Sequence, residues 1–305
     1  GLLNEAYLAG HVSTPEGFWE QLSGGDDGLD EATRSAFFDL LSKHSKTVTL
    51  YSQGANQSAC GTDKGNAIIN LHLATGRIDK PGMGPFSITG QPNAMGGREV
   101  GGLANMLAAH MGFSGEECTA AQDFWASPTI ASRPGLKAVD MFRAIADGRI
   151  KALWIMATNP AVSMPDANCV RAALDKCDFV VVSDCIAETD SAAFADVKLP
   201  ALAWGEKDGT VTNSERVVSR QRPIFPPPGE ARGDWDIIAD VARRMGFGQA
   251  FTYTSPAAIF REYAAQTGFR NEGRRLLDLS RWAEISDADY DGWKPWQWGG
   301  ASPFS

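Results

Sequence analysis

Two short, almost wholly apolar runs constrain this chain most. ALWIMA at 152–157 ends in TNP, a helical pattern follows near 168–176, and FVVV at 179–182 then ends in SDC. Each run has the length of a buried strand. Continuous apolar strands that alternate with helices predict an α/β fold with a parallel sheet covered by helices on both faces.

The pattern upstream agrees. Residues 30–45 read as an amphipathic helix, 47–51 as a short strand, and 66–74 as an apolar-periodic helix. A polar loop, SQGANQSACGTDKG, joins the last two, giving strand, loop, helix. Residues 80–102 interrupt this order. They are rich in glycine, with Pro81, Pro85 and Pro92, yet Met83, Phe86, Ile88, Met95 and Val100 are spread among them. An ordered loop is expected there, its glycines allowing close backbone approach to another group. Helices are expected at 103–111, 138–147 and 234–245. Another starts at Ser255 as N-cap and Pro256 as first helical residue and runs to about 265. The stretch after Pro200 reads as irregular β structure laid over the sheet. The last forty residues, rich in Trp and Gly, read as a connecting segment.

In open α/β sheets, ligands bind outside the carboxyl ends of the strands. The first strand end here carries Gln53, Asn56 and Gln57, the second Thr158 and Asn159, the third Ser183 and Asp184. Amides donate and accept, which suits nucleobases, pterins and ribose hydroxyls better than simple anions. Each residue also has a plainer reading: Asp184 as a helix N-cap, Asn159 as a turn residue before Pro160. Three such ends in one sheet point to a dinucleotide-like ligand. There is no G-x-G-x-x-G and no P-loop, so an ordinary NAD or ATP site is not indicated. Arg98, between Gly97 and Glu99, can offer a bidentate fork to a planar oxyanion, or pair with Glu99. Lys207 in GEKDG reads as a solvated turn residue, and Asp234 as a helix N-cap.

Composition narrows the function classes. Hydrophobic residues are 43% and charged residues 21% of the 305, ordinary for a soluble globular chain. A net charge of -9 argues against nucleic acid as a partner. No apolar run approaches a membrane span. Five cysteines without C-x-x-C spacing predict buried free thiols rather than disulfides, and no metal site is expected from this segment alone. The start at Gly-Leu-Leu-Asn-Glu lacks signal-peptide features and reads as an internal start.

Six motifs, in order, carry a family resemblance: YSQGANQ (51–57), PGMGPFSITGQPNAMGGREVGG (81–102), WIMATNP (154–160), VVSD (181–184), ADVKLPALAWGEKDGTVTNSER (195–216) and PPGEARGDWD (227–236). Together they resemble the molybdopterin oxidoreductases of the dimethyl-sulfoxide-reductase family. GQPNAMGGREVGGL is most similar to the assimilatory nitrate reductases of bacteria. The resemblance implies a Rossmann-like fold and bis-molybdopterin guanine dinucleotide with molybdenum as cofactor. It implies cofactor contacts at Gln53, Gly54 and Gln57, a guanosine-end site at Asn159, Ser183 and Asp184, and further cofactor contacts at Lys207 and Asp234. Arg98 matches the arginine of the active-site funnel, where nitrate is steered.

Periplasmic relatives carry Met where this chain has Gln53, which points to a cytoplasmic enzyme. The family's cysteine cluster for a four-iron four-sulfur centre, its molybdenum-ligating cysteine and its C-terminal domain have no counterpart here. A central piece, inactive alone, is therefore expected. Its parts would be the tail of a preceding α/β domain (1–50), a Rossmann-like cofactor-binding domain (51–200), and a β-containing covering segment with helices and a connection (201–305). Electrons would come from an NADH-linked partner, ferredoxin or flavodoxin. A formate dehydrogenase, or a non-catalytic module like that of respiratory complex I, are the competing expectations.

Overall fold

The computed structural model describes residues 2–18, 28–58 and 60–299. The chain divides into two compact units, Gly1–Gln91 and Pro92–Pro303. The boundary expected at residue 50 falls inside the first strand.

In the first unit, α1 (Glu5–His11) is capped by Asn4, whose Oδ1 accepts from the Tyr7 amide at 3.0 Å. Asp30 caps α2 (Glu31–Lys43), accepting from the Thr33 amide and hydroxyl. Only Leu41 of α2 is buried; Phe37, Phe38 and Leu40 face outward. β1 (Val48–Tyr51) leads into the short α3 (Gln53–Asn56) and then α4 (Gly61–Ala74), longer than the periodicity indicates. β2 (Gly84–Ser87) returns parallel to β1, pairing Leu50 with Phe86. The buried His72 of α4 bonds the Thr49 hydroxyl through Nε2 at 2.8 Å. Arg77 donates to the carbonyls of Leu41 and Ser45, fastening the end of α2.

The second unit opens with α5 (Ala94–Glu99), α6 (Gly115–Phe124) and α7 (Ala138–Ala146). β3 (Ala152–Met156), the short α8 (Pro160–Ser163), α9 (Ala167–Lys176), β4 (Phe179–Asp184) and β5 (Val197–Pro200) follow. The three strands are parallel, in the order β3-β4-β5, and helices flank them. Phe142 and Ile145 of α7, Val170 and Leu174 of α9, and Ile155, Val180 and Val182 of the sheet form one core. The expected α/β fold with a parallel sheet is therefore present.

β6 (Gly209–Thr212) and β7 (Val217–Gln221) make an antiparallel pair, as the turn-rich stretch indicates. α10 (Asp234–Ala242) and α11 (Pro256–Gly268) come next, the latter capped by Ser255 with Pro256 in its first turn. α12 (Asp287–Asp291) and β8 (Trp296–Gln297) complete the unit, and β8 pairs with β7.

Five expectations need correction. The three strand ends do not share one sheet: β1 pairs with β2 in a sheet of its own, apart from β3-β4-β5. Residues 80–102 are not one loop: they contain β2 and α5. Their glycines approach the chain itself. A Cβ on Gly101, at φ 76°, would lie 2.6 Å from the Ala108 nitrogen, and one on Gly96 would collide with the Asn93 side chain. Residues 103–111 form turns rather than a helix, and Ala109 and His110 both sit at φ 58°. Much of the stretch 277–298, expected as a connector, is core. Leu277, Leu279, Tyr290, Trp293 and Trp298 pack on Phe260 and Ala264 of α11. None of the five cysteines is buried; Cys60, Cys169 and Cys185 are exposed. Among the described residues, no helix is long and apolar enough to cross a membrane.

Candidate functional site

Beyond β3 the chain turns sharply. Ala157 takes a left-handed conformation at φ 54°, its amide donating to the Ser183 carbonyl at 3.0 Å. A strained non-glycine residue at a strand end often marks a functional turn. It opens a cavity of about 380 Å³ at the carboxyl ends of the parallel strands. Asn159, Ser183, Asp184, Lys207 and Asp234 all line it, so five residues singled out from sequence meet in one place.

Their side chains are held differently. Asn159 Oδ1 accepts from the Ser191 amide (3.0 Å) and hydroxyl (2.6 Å), which fixes the carboxamide plane. Ser191 is fully buried and also receives the Ala161 amide on its hydroxyl. The Ser183 hydroxyl is buried as well and accepts from Trp154 Nε1 at 2.8 Å. Asp184 is not a helix N-cap; its Oδ1 accepts from the Ile186 amide at 3.2 Å and shapes the turn after β4. Next to it, burial and then the Asp184 charge push the Cys185 thiol up, which keeps it neutral.

Lys207 is not a free turn residue. Its Nζ lies 2.6 Å from Asp234 Oδ2, with both side chains mostly sheltered. Asp234 is not the N-cap of α10 either: Gly233 holds that position. Asp234 Oδ1 is buried with no hydrogen-bond partner among the described residues. A buried unpaired acceptor costs about 1–3 kcal/mol, so a ligand that offers a donor there would gain from it. Two carboxylates, an ammonium and a clamped carboxamide suit a ligand with N–H and hydroxyl donors and some negative charge.

The loop carrying Lys207 is anchored by Arg220, a residue sequence reasoning passed over. The buried guanidinium donates to Asp208, to the Gly209 carbonyl (2.9 Å), to the Tyr290 carbonyl (3.0 Å) and to Asp291 (3.0 Å). It also stacks 4.1 Å from the Tyr290 ring centroid. Arg220→Met is expected to lower the unfolding free energy by about 1–3 kcal/mol, because the Gly209 and Tyr290 carbonyls lose their donor while Asp208 and Asp291 stay in contact with water. Urea denaturation of the chain measures it, and a change within experimental error would show that Arg220 does not anchor the loop.

Arg98 stands apart from this cavity. It is exposed on the last turn of α5, and its neighbour Glu99 pairs elsewhere, so an Arg98–Glu99 pair is not formed. A larger cavity of about 850 Å³ shares Trp204, Lys207 and Asp234 with the first and reaches Asn93, the residue before α5. In the first unit, Gln53 begins α3 and its Nε2 donates to Gln91 Oε1 at 2.8 Å. A Cβ on Gly54 would meet open space, and Gln57 is exposed at the end of the same helix.

Residues 23–244 match the family model for molybdopterin oxidoreductase. The chain belongs to the molybdopterin oxidoreductase family. A nitrate reductase of Klebsiella oxytoca is 52% identical over 271 residues, which are 89% of this chain and 31% of that protein. The assimilatory nitrate reductase catalytic subunit of Bacillus subtilis is 37% identical, over 86% of this chain and 38% of that protein. An F420-dependent formate dehydrogenase subunit alpha of Methanocaldococcus jannaschii is 38% identical, over 77% of this chain and 34% of that protein. The chain thus spans about a third of the length of these relatives.

Proposed function

We propose that the chain is the central, cofactor-binding part of a molybdenum-dependent nitrate reductase of the assimilatory type, which reduces nitrate to nitrite. The observation that carries this reading is the cavity beyond β3, β4 and β5, with the unpartnered Asp234 Oδ1 in its wall. A guanine edge supplies the N–H donors that this acceptor lacks, which supports the guanine dinucleotide form of the cofactor.

In this reading Asn159, Ser183, Asp184, Lys207 and Asp234 hold the guanosine end. Ser183 contributes its backbone, since its hydroxyl serves Trp154. Lys207 offsets phosphate charge. Gln53, Gly54 and Gln57 are further cofactor contacts in this reading. Arg98 orients nitrate and offsets its charge in the funnel. When bound, the molybdenum centre supplies the electrons and the oxygen-atom chemistry; the protein supplies position and electrostatics.

The rest of the reading concerns the parent protein. Residues 1–50 belong to a preceding α/β domain, 51–200 bind the cofactor, and 201–305 cover it. A four-iron four-sulfur cluster outside this segment passes electrons from an NADH-linked partner, ferredoxin or flavodoxin. The enzyme is cytoplasmic, and the chain alone is inactive. Purified parent protein is expected to contain molybdenum and guanine nucleotide and to turn over nitrate but not formate. Formate turnover alone would overturn the nitrate reading. Absence of guanine nucleotide would overturn the cofactor assignment.

A further inference from the structure

α5 has no obvious reason to hold its shape. It is six residues long and contains Gly96 and Gly97, and Asn93 makes no side-chain cap bond to it. So short a helix is unstable by itself, and two glycines weaken it further. Its last residue, Glu99, is 1% exposed. A buried carboxylate demands strong partners, and Glu99 has them. Oε2 accepts from the Thr212 hydroxyl of β6 at 2.8 Å and the Tyr263 hydroxyl of α11 at 2.9 Å. Oε1 accepts from Trp298 Nε1 at 2.7 Å. The Glu99 carbonyl takes a fourth bond, from the Ala109 amide at 2.7 Å, where Ala109 and His110 adopt consecutive left-handed conformations.

One residue therefore ties α5 to four separate segments of its unit. The neighbouring Arg98 is exposed and forms no ion pair among the described residues, so the end of α5 fixes the point from which its side chain reaches out. Burial, and then the Glu99 charge, push the Tyr263 phenol far up, so it remains a donor. We propose that Glu99 is the positioning residue for Arg98: its buried carboxylate locks the end of α5, and so aims the guanidinium that meets the anion. This rests on the nitrate-handling role of Arg98.

The test uses the molybdenum-loaded parent enzyme, with Arg98→Ala prepared alongside. Glu99→Ala is expected to raise the nitrate KM about 10-fold or more, since small misplacements of an orienting group are costly. Molybdenum content stays unchanged, and hydrogen exchange accelerates in residues 94–102 but not in 138–184. Glu99→Gln, which keeps size and one strong acceptor, restores most of the KM and the local protection. An unchanged KM and unchanged exchange at 94–102 in Glu99→Ala, with turnover lost in Arg98→Ala, overturn this proposal alone. Equal acceleration in both segments also overturns it, because Glu99 would then support the whole unit. Normal turnover in Arg98→Ala instead overturns the role on which the proposal rests. If Glu99→Ala does not accumulate, Tyr263→Phe removes one donor and keeps the ring. It is expected to repeat the pattern at smaller size, and wild-type KM and exchange in that variant overturn the proposal.

Discussion

Arg98→Ala in the full-length enzyme is expected to lower nitrate turnover by about 100-fold or more while molybdenum content stays near normal. The structure makes the substitution quiet for folding. Arg98 is exposed on the final turn of α5, and the helix is fixed through Glu99 rather than through the guanidinium. Whatever is lost is therefore lost at the anion. A planar guanidinium offers two parallel N–H donors to a planar oxyanion, and an ammonium offers only a point charge. Arg98→Lys is accordingly expected to recover part of the rate but not its nitrate KM. Steady-state assays with nitrate, together with metal analysis, decide the matter. Normal turnover in the alanine variant would remove Arg98 from the chemistry.

The parallel strands were legible because ALWIM and FVVV contain little but residues that a buried strand wants, and because their ends switch abruptly to polar side chains. The same switch exposed Asn159, Ser183 and Asp184, and the structure places all three on one cavity. What escaped depends on distance along the chain. Ser191, which fixes Asn159, lies 32 residues away and has no local signature. α5 hid among glycines because it is held by Thr212, Tyr263 and Trp298, not by its own propensity. The apolar stretch at 103–111 imitated a helix, but it forms turns throughout and ends in the left-handed pair Ala109 and His110. α6 was missed in the sequence, although Ser114 and Glu117 form a capping box whose S-x-x-E spacing could have marked its start. The tryptophans near the C-terminus lack helical or strand periodicity, so their common core with α11 emerges only in three dimensions.

The cavity wall has a similar lesson, since hydrogen-bond bookkeeping separates residues that build the site from residues that wait for a ligand. Asn159 Oδ1, the Ser183 hydroxyl and Asp184 Oδ1 are already engaged within the chain. Asp234 Oδ1 is not, although it is shielded from water. That asymmetry ranks Asp234 above its neighbours as a group that reads the ligand's chemistry.

Asp234→Asn should therefore reduce cofactor retention by on the order of 100-fold, because a site built around a buried hydrogen bond rejects a mismatched partner strongly. The carboxamide can turn two ways, and both fail. With its NH2 towards the cavity, it presents a donor to the ligand's N–H groups. With its NH2 towards Lys207, it opposes an ammonium that now sits 2.6 Å from Oδ2. The ligand-free chain should hardly notice. The Lys207–Asp234 pair retains some solvent contact, and such pairs contribute about 1 kcal/mol or less. The expected signature is thus a near-wild-type unfolding midpoint for the chain combined with loss of guanine nucleotide from the purified parent enzyme, measured as GMP released by acid. Full guanine content in Asp234→Asn would show that the unpartnered oxygen does not face the cofactor. A large fall in the unfolding midpoint would show instead that Asp234 is chiefly a structural partner of Lys207.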